Sequence, residues 1–232
     1  MGLRSIVEKA FSVTVDYVTR REYHRQAFRR NERPIDLRFI FECITRIAPR
    51  NVLDVGTGIS PLPALIRNCG LLVTATDNIV DYWPRGFVNR HYHVINDNIV
   101  DTKLTDRFDL VICAGVLQHV KEHERAVRSM FSLLRPHGYL IVSCPYNERE
   151  YVPNAYALPQ AGYGQQSPYV CQQHNAEHRD RWVGDNGAEL VIQEHWQVFA
   201  GEYWTYGEAL EPPKQVHSDE THQFTCMLLR GR

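Results

Sequence analysis

The sequence predicts an α/β fold in which a mostly parallel sheet carries helices on both faces. Three observations predict it. Short apolar, β-branched runs alternate with stretches of helical period, the pattern of parallel strands joined by crossover helices. The first run, Val52-Leu53-Asp54-Val55, leads straight into Gly56-Thr57-Gly58-Ile59-Ser60-Pro61, which reads as strand, glycine turn and helix. The second, Leu71-Leu72-Val73-Thr74-Ala75-Thr76-Asp77, ends in a carboxylate 23 positions after Asp54.

Composition sets the frame. At 232 residues the chain can build one domain with a substantial core. A formal net charge of −1 gives no electrostatic case for nucleic acid or a membrane surface. No apolar run approaches the roughly 20 residues of a membrane helix, and residues 1–10 lack a signal-peptide core. The six cysteines, at 43, 69, 113, 144, 171 and 226, form no Cys-x-x-Cys pair. Cys113 and Cys144 fall in apolar runs, as small hydrophobes do, and free thiols in a cytoplasmic compartment are expected.

Residues 1–48 read as an N-terminal helical cap, and residues 49–232 as the main domain. Apolar residues recur at helical spacing over 35–44, with Pro34 to start that helix and Pro49 to end it. Upstream, residues 20–30 are strongly basic, which reads as a solvated helix face, with a phosphate or RNA patch, or closure over a cofactor, as the other uses. Glycine at 56 and 58 permits a tight turn and close approach of a ligand to the backbone. Ser60 is placed to cap a helix beginning at Pro61, and Gly70 to stop it.

Asp77 has the spacing at which an acidic residue meets ribose hydroxyls in dinucleotide-type folds. A third strand is expected at 92–95, leading into Asn96-Asp97-Asn98, and a fourth at 108–113, followed by Ala114-Gly115. A helix over about 121–134 presents Val127, Met130, Phe131 and Leu134 on one face. Pro136-His137-Gly138 breaks it before a fifth strand at 139–144. Residues 145–170 form a long irregular loop rich in Pro, Gly and Tyr, expected to cover the substrate. After a helix at 176–183, residues 190–199 and 222–229 supply two last strands as an antiparallel pair, joined by a polar loop over 207–221 that contains Pro212-Pro213.

These residues resemble the class I S-adenosylmethionine-dependent methyltransferases, of the small-molecule type, across about residues 45–230. The resemblance rests on Val52-Leu53-Asp54-Val55-Gly56-Thr57-Gly58, Asp77, Asp97, and the segment from Phe108-Asp109-Leu110-Val111 through Val116-Leu117-Gln118-His119-Val120. Leu133-Leu134-Arg135-Pro136-His137-Gly138-Tyr139-Leu140 completes it. It implies a three-layer, Rossmann-like, seven-stranded sheet with an antiparallel last strand. It also implies S-adenosylmethionine as cofactor, held by Asp54, Gly56, Thr57, Gly58 and Ser60 at its amino-acid end. Asp77 and Asn78 would meet the ribose, Asp97 and Asn98 the adenine, and Ala114 and Gly115 the methionine moiety. The absence of Asn/Asp-Pro-Pro-Tyr after the fourth strand argues against the amino-directed DNA and protein enzymes.

A hydroxyl acceptor needs a base, and His119, just past the fourth strand, is the candidate catalytic residue. Tyr146, Tyr151 and His174 are candidates for substrate binding. The acceptor is expected to be a small molecule, with a sugar or metabolite hydroxyl preferred and RNA as runner-up. His119-x-x-Glu122-His123 and the set Cys171, His174, His178 have metal-like spacings, but such short patterns recur by chance and no metal is expected. Rival readings are a nicotinamide-dependent oxidoreductase, which Pro61 in place of a third glycine disfavours, and a non-catalytic cofactor-binding member.

Overall fold

The computed structural model of the chain describes residues 3–23, 32–83 and 89–232. Two compact units result, Met1–Asn31 and Glu32–Arg232. The first contains helix α1 (Leu3–Tyr23). Most of the basic segment 20–30 lies outside the described residues.

The second unit starts with α2 (Arg33–Ile47), which opens on Pro34 and closes at Ala48 in the left-handed region, φ 50°. Its apolar stripe, Ile35, Phe39, Ile40, Cys43 and Ile44, is buried. That corrects the boundary expected at 48: α2 belongs to the core of the main unit. Truncating Phe39 to alanine there would cost about 3–5 kcal/mol.

The sheet has eight strands where seven were expected: β1 (Asn51–Val55), β2 (Leu72–Asp77), β3 (Ile95–Asn96), β4 (Phe108–Ala114), β5 (Leu134–Pro145), β6 (Glu189–Phe199), β7 (Ala209–Val216) and β8 (Phe224–Arg230). Their order is β3-β2-β1-β4-β5-β8-β6-β7. Strands β1 to β5 pair in parallel. β8 runs antiparallel between β5 and β6, and β7 antiparallel on the outer edge of β6. The extra strand falls in the stretch expected to be a loop. β7 tolerates Pro212-Pro213 because only one of its edges is paired, and the prolines fall where the β6–β7 register shifts between Gln197 and Phe199.

Side-chain alternation along the strands sorts the core into two layers. Val52, Leu110, Ile112, Ile141, Cys226 and Leu228 pack with α2 and with Leu62 and Ile66 of α3 (Leu62–Asn68), and the short α4 (Ile79–Tyr82) follows β2. Leu53, Val55, Val111, Cys113, Leu140, Val142, Met227 and Leu229 pack with Ala126, Val127 and Met130 of α5 (His123–Ser132) and with Trp182 of α6 (Ala176–Asp185). This is the expected three-layer, Rossmann-like arrangement. The parity also places Asp54 on the α2 face, since it shares that face with Val52.

Two smaller expectations shift. α3 begins at Leu62 rather than Pro61, although Ser60 Oγ still accepts the Leu62 N–H at 3.1 Å. β5 begins at Leu134, five residues before the expected start, and passes Pro136-His137-Gly138 with His137 at φ 62°. All six cysteines are free thiols, and five are buried. Among the described residues no helix is long and apolar enough to cross a membrane.

Candidate active site

The carboxyl ends of β1, β2 and β4 open into a cavity of about 660 Å³. Every residue expected to hold the cofactor lines it: Asp77, Asn78, Asp97, Asn98, Ala114, Gly115 and the turn residues Gly56, Thr57, Gly58 and Ser60, with one exception. The exception is Asp54, which lies beneath the turn, only 3% exposed.

The turn is shaped by its own hydrogen bonds. Thr57 N–H donates to the Thr76 carbonyl of β2 at 3.0 Å, and Thr57 Oγ1 donates to Asp54 Oδ2 at 2.8 Å. Asn89 Nδ2 donates to the carbonyls of Gly58 and Ser60 at 2.9 and 3.0 Å. Gly56 sits at φ 68°, and a Cβ there would lie 2.5 Å from a Val116 methyl. Only glycine fits that position. The close approach fixes the turn against the segment that follows β4.

Charge is concentrated at this end of the sheet. Burial pushes the Asp54 carboxyl up to about 7, against the pull of the Thr57 hydrogen bond and of Arg33. Burial likewise raises Asp36, on α2, to about 7, partly offset by Arg33 and the Ser143 hydroxyl. Arg33 spans the two sides, with Nη1 3.3 Å from Asp36 Oδ2 and 3.3 Å from the Ala114 carbonyl. Both Arg33 and Asp36 line the cavity. Reading the sequence missed them because α2 was placed in a separate cap.

At the ribose end, Asp77 Oδ2 accepts the Gly58 N–H at 2.7 Å and Oδ1 accepts the Trp83 indole N–H at 2.9 Å. Asp97 accepts from Thr102 Oγ1 at 2.7 Å and Lys103 N–H at 2.8 Å. Asn98 Oδ1 accepts the Val100 N–H at 3.0 Å. The Asp97 and Asn98 side chains thus help to shape the loop at this end of the cavity.

His119 lines the same cavity. Its Nδ1 lies 2.6 Å from the Val170 carbonyl; a carbonyl only accepts, so Nδ1 carries the proton and Nε2 carries the lone pair. Burial, with Arg33 nearby, holds its pKa below the usual histidine value. Beside it, Tyr82 and Tyr169 stack at 4.1 Å, and Tyr169 OH donates to the Tyr82 carbonyl at 2.7 Å. Tyr169 and Val170, at the end of the long loop, thus contact the cavity-lining residues Tyr82 and His119 without lining the cavity themselves.

The tyrosines and histidine singled out for substrate binding lie elsewhere. Tyr146, fully buried, bonds Glu148 and Arg179. Tyr151 donates to Gln172 Oε1 at 2.7 Å. His174 packs against His123, His178 and Trp182 under α6, also fully buried. None of the three lines the cavity. Nor do the two metal-like spacings gather their ligand atoms: among the described residues, the group that does so is Glu148, His195 and His222.

A family profile described as a methyltransferase domain matches residues 23–205. The chain belongs to this family, within the class I S-adenosylmethionine-dependent methyltransferases. Ubiquinone biosynthesis O-methyltransferase from Coxiella burnetii (strain RSA 493 / Nine Mile phase I) is 30% identical over 117 residues, 47% of this chain and 49% of that protein. The chain spans about half the length of the curated relatives it matches. Among solved structures, 1,6-didemethyltoxoflavin-N1-methyltransferase of Burkholderia thailandensis, with 1,6-didemethyltoxoflavin and S-adenosylhomocysteine bound, aligns with a TM-score of 0.58 at 16% identity over 97% of this chain and 89% of that one. The N-methyltransferase NodS of Bradyrhizobium japonicum WM9, in complex with S-adenosylhomocysteine, aligns with a TM-score of 0.52 at 16% identity over 86% and 87%. At that identity the two share the fold with this chain.

Proposed function

We propose that the protein moves a methyl group to a hydroxyl of a small molecule, a sugar or other metabolite, with His119 as general base. The observation that carries this reading is the tautomer of His119, a residue lining the cavity that contains the cofactor-type turn: its Nδ1–H is spent on Val170, which leaves Nε2 its lone pair. The C. burnetii relative is named as an O-methyltransferase.

The residues present fit S-adenosylmethionine. The glycine at 56 has its side-chain space closed by Val116, the Asp77 carboxylate ends β2, and buried Asp54 lies under the turn beside the reach of Arg33. In this reading Arg33 meets the carboxylate of the amino-acid end, Asp54 its ammonium, Asp77 the ribose hydroxyls and the backbone at Asn98 and Ile99 the adenine edge. Bound, the group supplies an electrophilic methyl on a sulfonium. The chain's own part is to align and to exclude water. Tyr82, Trp83 and Tyr169 provide the aromatic cover, and His119 Nε2 takes the acceptor's proton as the oxygen attacks. The loop at 145–170 acts through its end, Tyr169 and Val170, and the buried thiols suit a reducing cytoplasm.

The test is turnover against pooled metabolites, with S-adenosylhomocysteine as the detected product. Base catalysis contributes roughly 10²–10⁴-fold, so His119→Asn should lower kcat by that order while S-adenosylhomocysteine still binds. Because burial lowers the His119 pKa, kcat of the wild type should stay level as pH falls to about the ordinary histidine value of ~6.5 and decline below it. An undiminished kcat in His119→Asn would remove the base from this reading. Turnover with RNA alone would remove the small-molecule acceptor.

A further inference from the structure

On the far side of β5, three side chains from three elements converge without any part in the cavity described above. Glu148 follows β5, His195 lies in β6, and His222 immediately precedes β8. We propose that Glu148, His195 and His222 form a binding site for a divalent transition metal of the zinc type.

One ligand atom from each residue lies within 4.8 Å of the others. A tetrahedral site with bonds of about 2.0–2.1 Å places its ligand atoms ~3.3 Å apart, so a modest contraction closes it. Glu148 Oε1 and His195 Nε2 are already 3.0 Å apart, and the His195 and His222 rings are 4.6 Å apart between centroids.

His222 supplies the second, independent observation. Its Nδ1–H donates to the Glu220 carbonyl at 2.8 Å, which fixes the tautomer and leaves the lone pair on Nε2. The residue is 3% exposed, and Nε2 has no hydrogen-bond partner. A buried lone pair without a donor is costly, and a metal ion would satisfy it. The bond from the opposite ring nitrogen to a carbonyl is also the usual outer-shell support of a metal-bound histidine.

The surroundings agree. Glu148 and His222 line a cleft of about 270 Å³ that also contains Glu150, Glu202, Asp219 and Glu220 against one cation, Arg149, a net negative approach for a metal ion. Arg179 Nη1 holds Glu148 Oε2 at 3.2 Å and Oε1 at 3.3 Å, and Tyr146 OH donates to Oε1 at 3.1 Å. With metal bound, Arg179 keeps Oε2 as an outer-shell partner and Oε1 turns to the ion. To ligate, neutral His195 takes the tautomer with its proton on Nδ1, which frees the Nε2 lone pair for the ion in place of the contact with Glu148 Oε1. Two imidazoles and one carboxylate favour zinc, cobalt or nickel over magnesium or calcium. A fourth position would face the cleft. Such an ion would tie the loop after β5 to β6 and β8.

The experiment uses the untagged full chain, stripped with a chelator and titrated with Zn(II) and Co(II). One equivalent should bind, and Co(II) should show the visible absorption of a four-coordinate centre. His222→Gln and His195→Gln should each weaken binding by more than the roughly 10–100-fold typical of losing an outer-shell partner. Both should bind S-adenosylhomocysteine as the wild type does, which reports that they fold. Equal metal affinity in wild type and His222→Gln overturns the proposal, as does failure of the wild type to bind either ion. Should a variant not fold, X-ray absorption on the zinc-loaded wild type decides: two imidazole shells support the site, and sulfur or oxygen-only coordination overturns it.

Discussion

Asp77 and Trp83 are joined by a hydrogen bond of 2.9 Å from the indole N–H to the carboxylate, whose other oxygen holds the Gly58 N–H at 2.7 Å. The carboxylate expected to receive ribose hydroxyls therefore has a donor on each oxygen. The Gly58 bond sets its orientation, and in the proposed reading the indole competes with the ribose. A neutral hydrogen bond nets about 1 kcal/mol and one to a charged group roughly 1.5–3 kcal/mol. Trp83→Phe should keep the aromatic cover and tighten S-adenosylhomocysteine binding, by up to about fivefold. Asp77→Ala should weaken it roughly 10–100-fold. Calorimetric titration of both variants checks the pair, and undiminished binding in Asp77→Ala would end the ribose assignment.

Asp54 predicts a pH dependence of cofactor affinity. Its carboxyl is raised to about 7 by burial, so near neutrality it is partly protonated before ligand arrives. In the proposed reading the cofactor's ammonium reaches Asp54 through water and favours the ionised form, so binding expels a proton. Affinity should fall as pH drops below about 7, approaching a factor of ten per pH unit. Titrations in buffers of different ionisation enthalpy should show proton release at pH 6–7, and Asp54→Asn should abolish it.

The Gly56 turn predicts a steric outcome. An alanine there combines φ 68° with a Cβ 2.5 Å from Val116. The left-handed conformation alone costs roughly 1–2 kcal/mol, and the overlap with a stiff β-branched side chain adds to it. Gly56→Ala should lower stability by at least that much and abolish measurable cofactor binding. Gly56→Ala combined with Val116→Ala should restore part of the stability, read by denaturant midpoint.

Buried histidines contribute to the acid side of the stability curve. Burial and neighbouring His178 lower His123 to about 4, and its Nδ1 accepts the Trp182 indole N–H at 3.3 Å. The unfolded chain takes up a proton here near pH 6.5, while the folded chain does not until about pH 4. The unfolded state thus binds more protons in that window, and stability falls as pH drops through it. The contribution is about 3 kcal/mol at most. Asp36 and Asp54, raised to about 7, act in the opposite direction. The comparison that isolates His123 is wild type against His123→Asn, whose curve should decline less steeply between pH 6.5 and 4.

The parts of the site that were legible in the sequence are those where backbone chemistry dictates residue type. Gly56 and Gly58 have positive φ, and Asp77 ends a strand, so identity and spacing announce them. Arg33 and Asp36 gave no such signal, since they reach the cavity only because the stripe on α2 packs against β4 and β8 neighbours. Composition pointed to tyrosines in the long loop, but loop geometry chose among them: Tyr146 and Tyr151 turn inward and Tyr169 meets Tyr82. β7 was hidden for another reason. An edge strand with mostly exposed side chains and two prolines has neither apolar alternation nor a full set of donors.

The position of β8 between β5 and β6 bears on how the molecule comes into being on the ribosome. Residues 224–230 fill the middle of a sheet whose other strands are all synthesised earlier. Until they emerge, β5 and β6 present two facing open edges, each a template for another chain. The nascent protein can assemble β1 to β5 with their helices, yet it must hold a gap seven residues long until translation has passed Arg230. Closure of the core is therefore a late event, and the interval before it is when the chain is most exposed to aggregation and to chaperone capture.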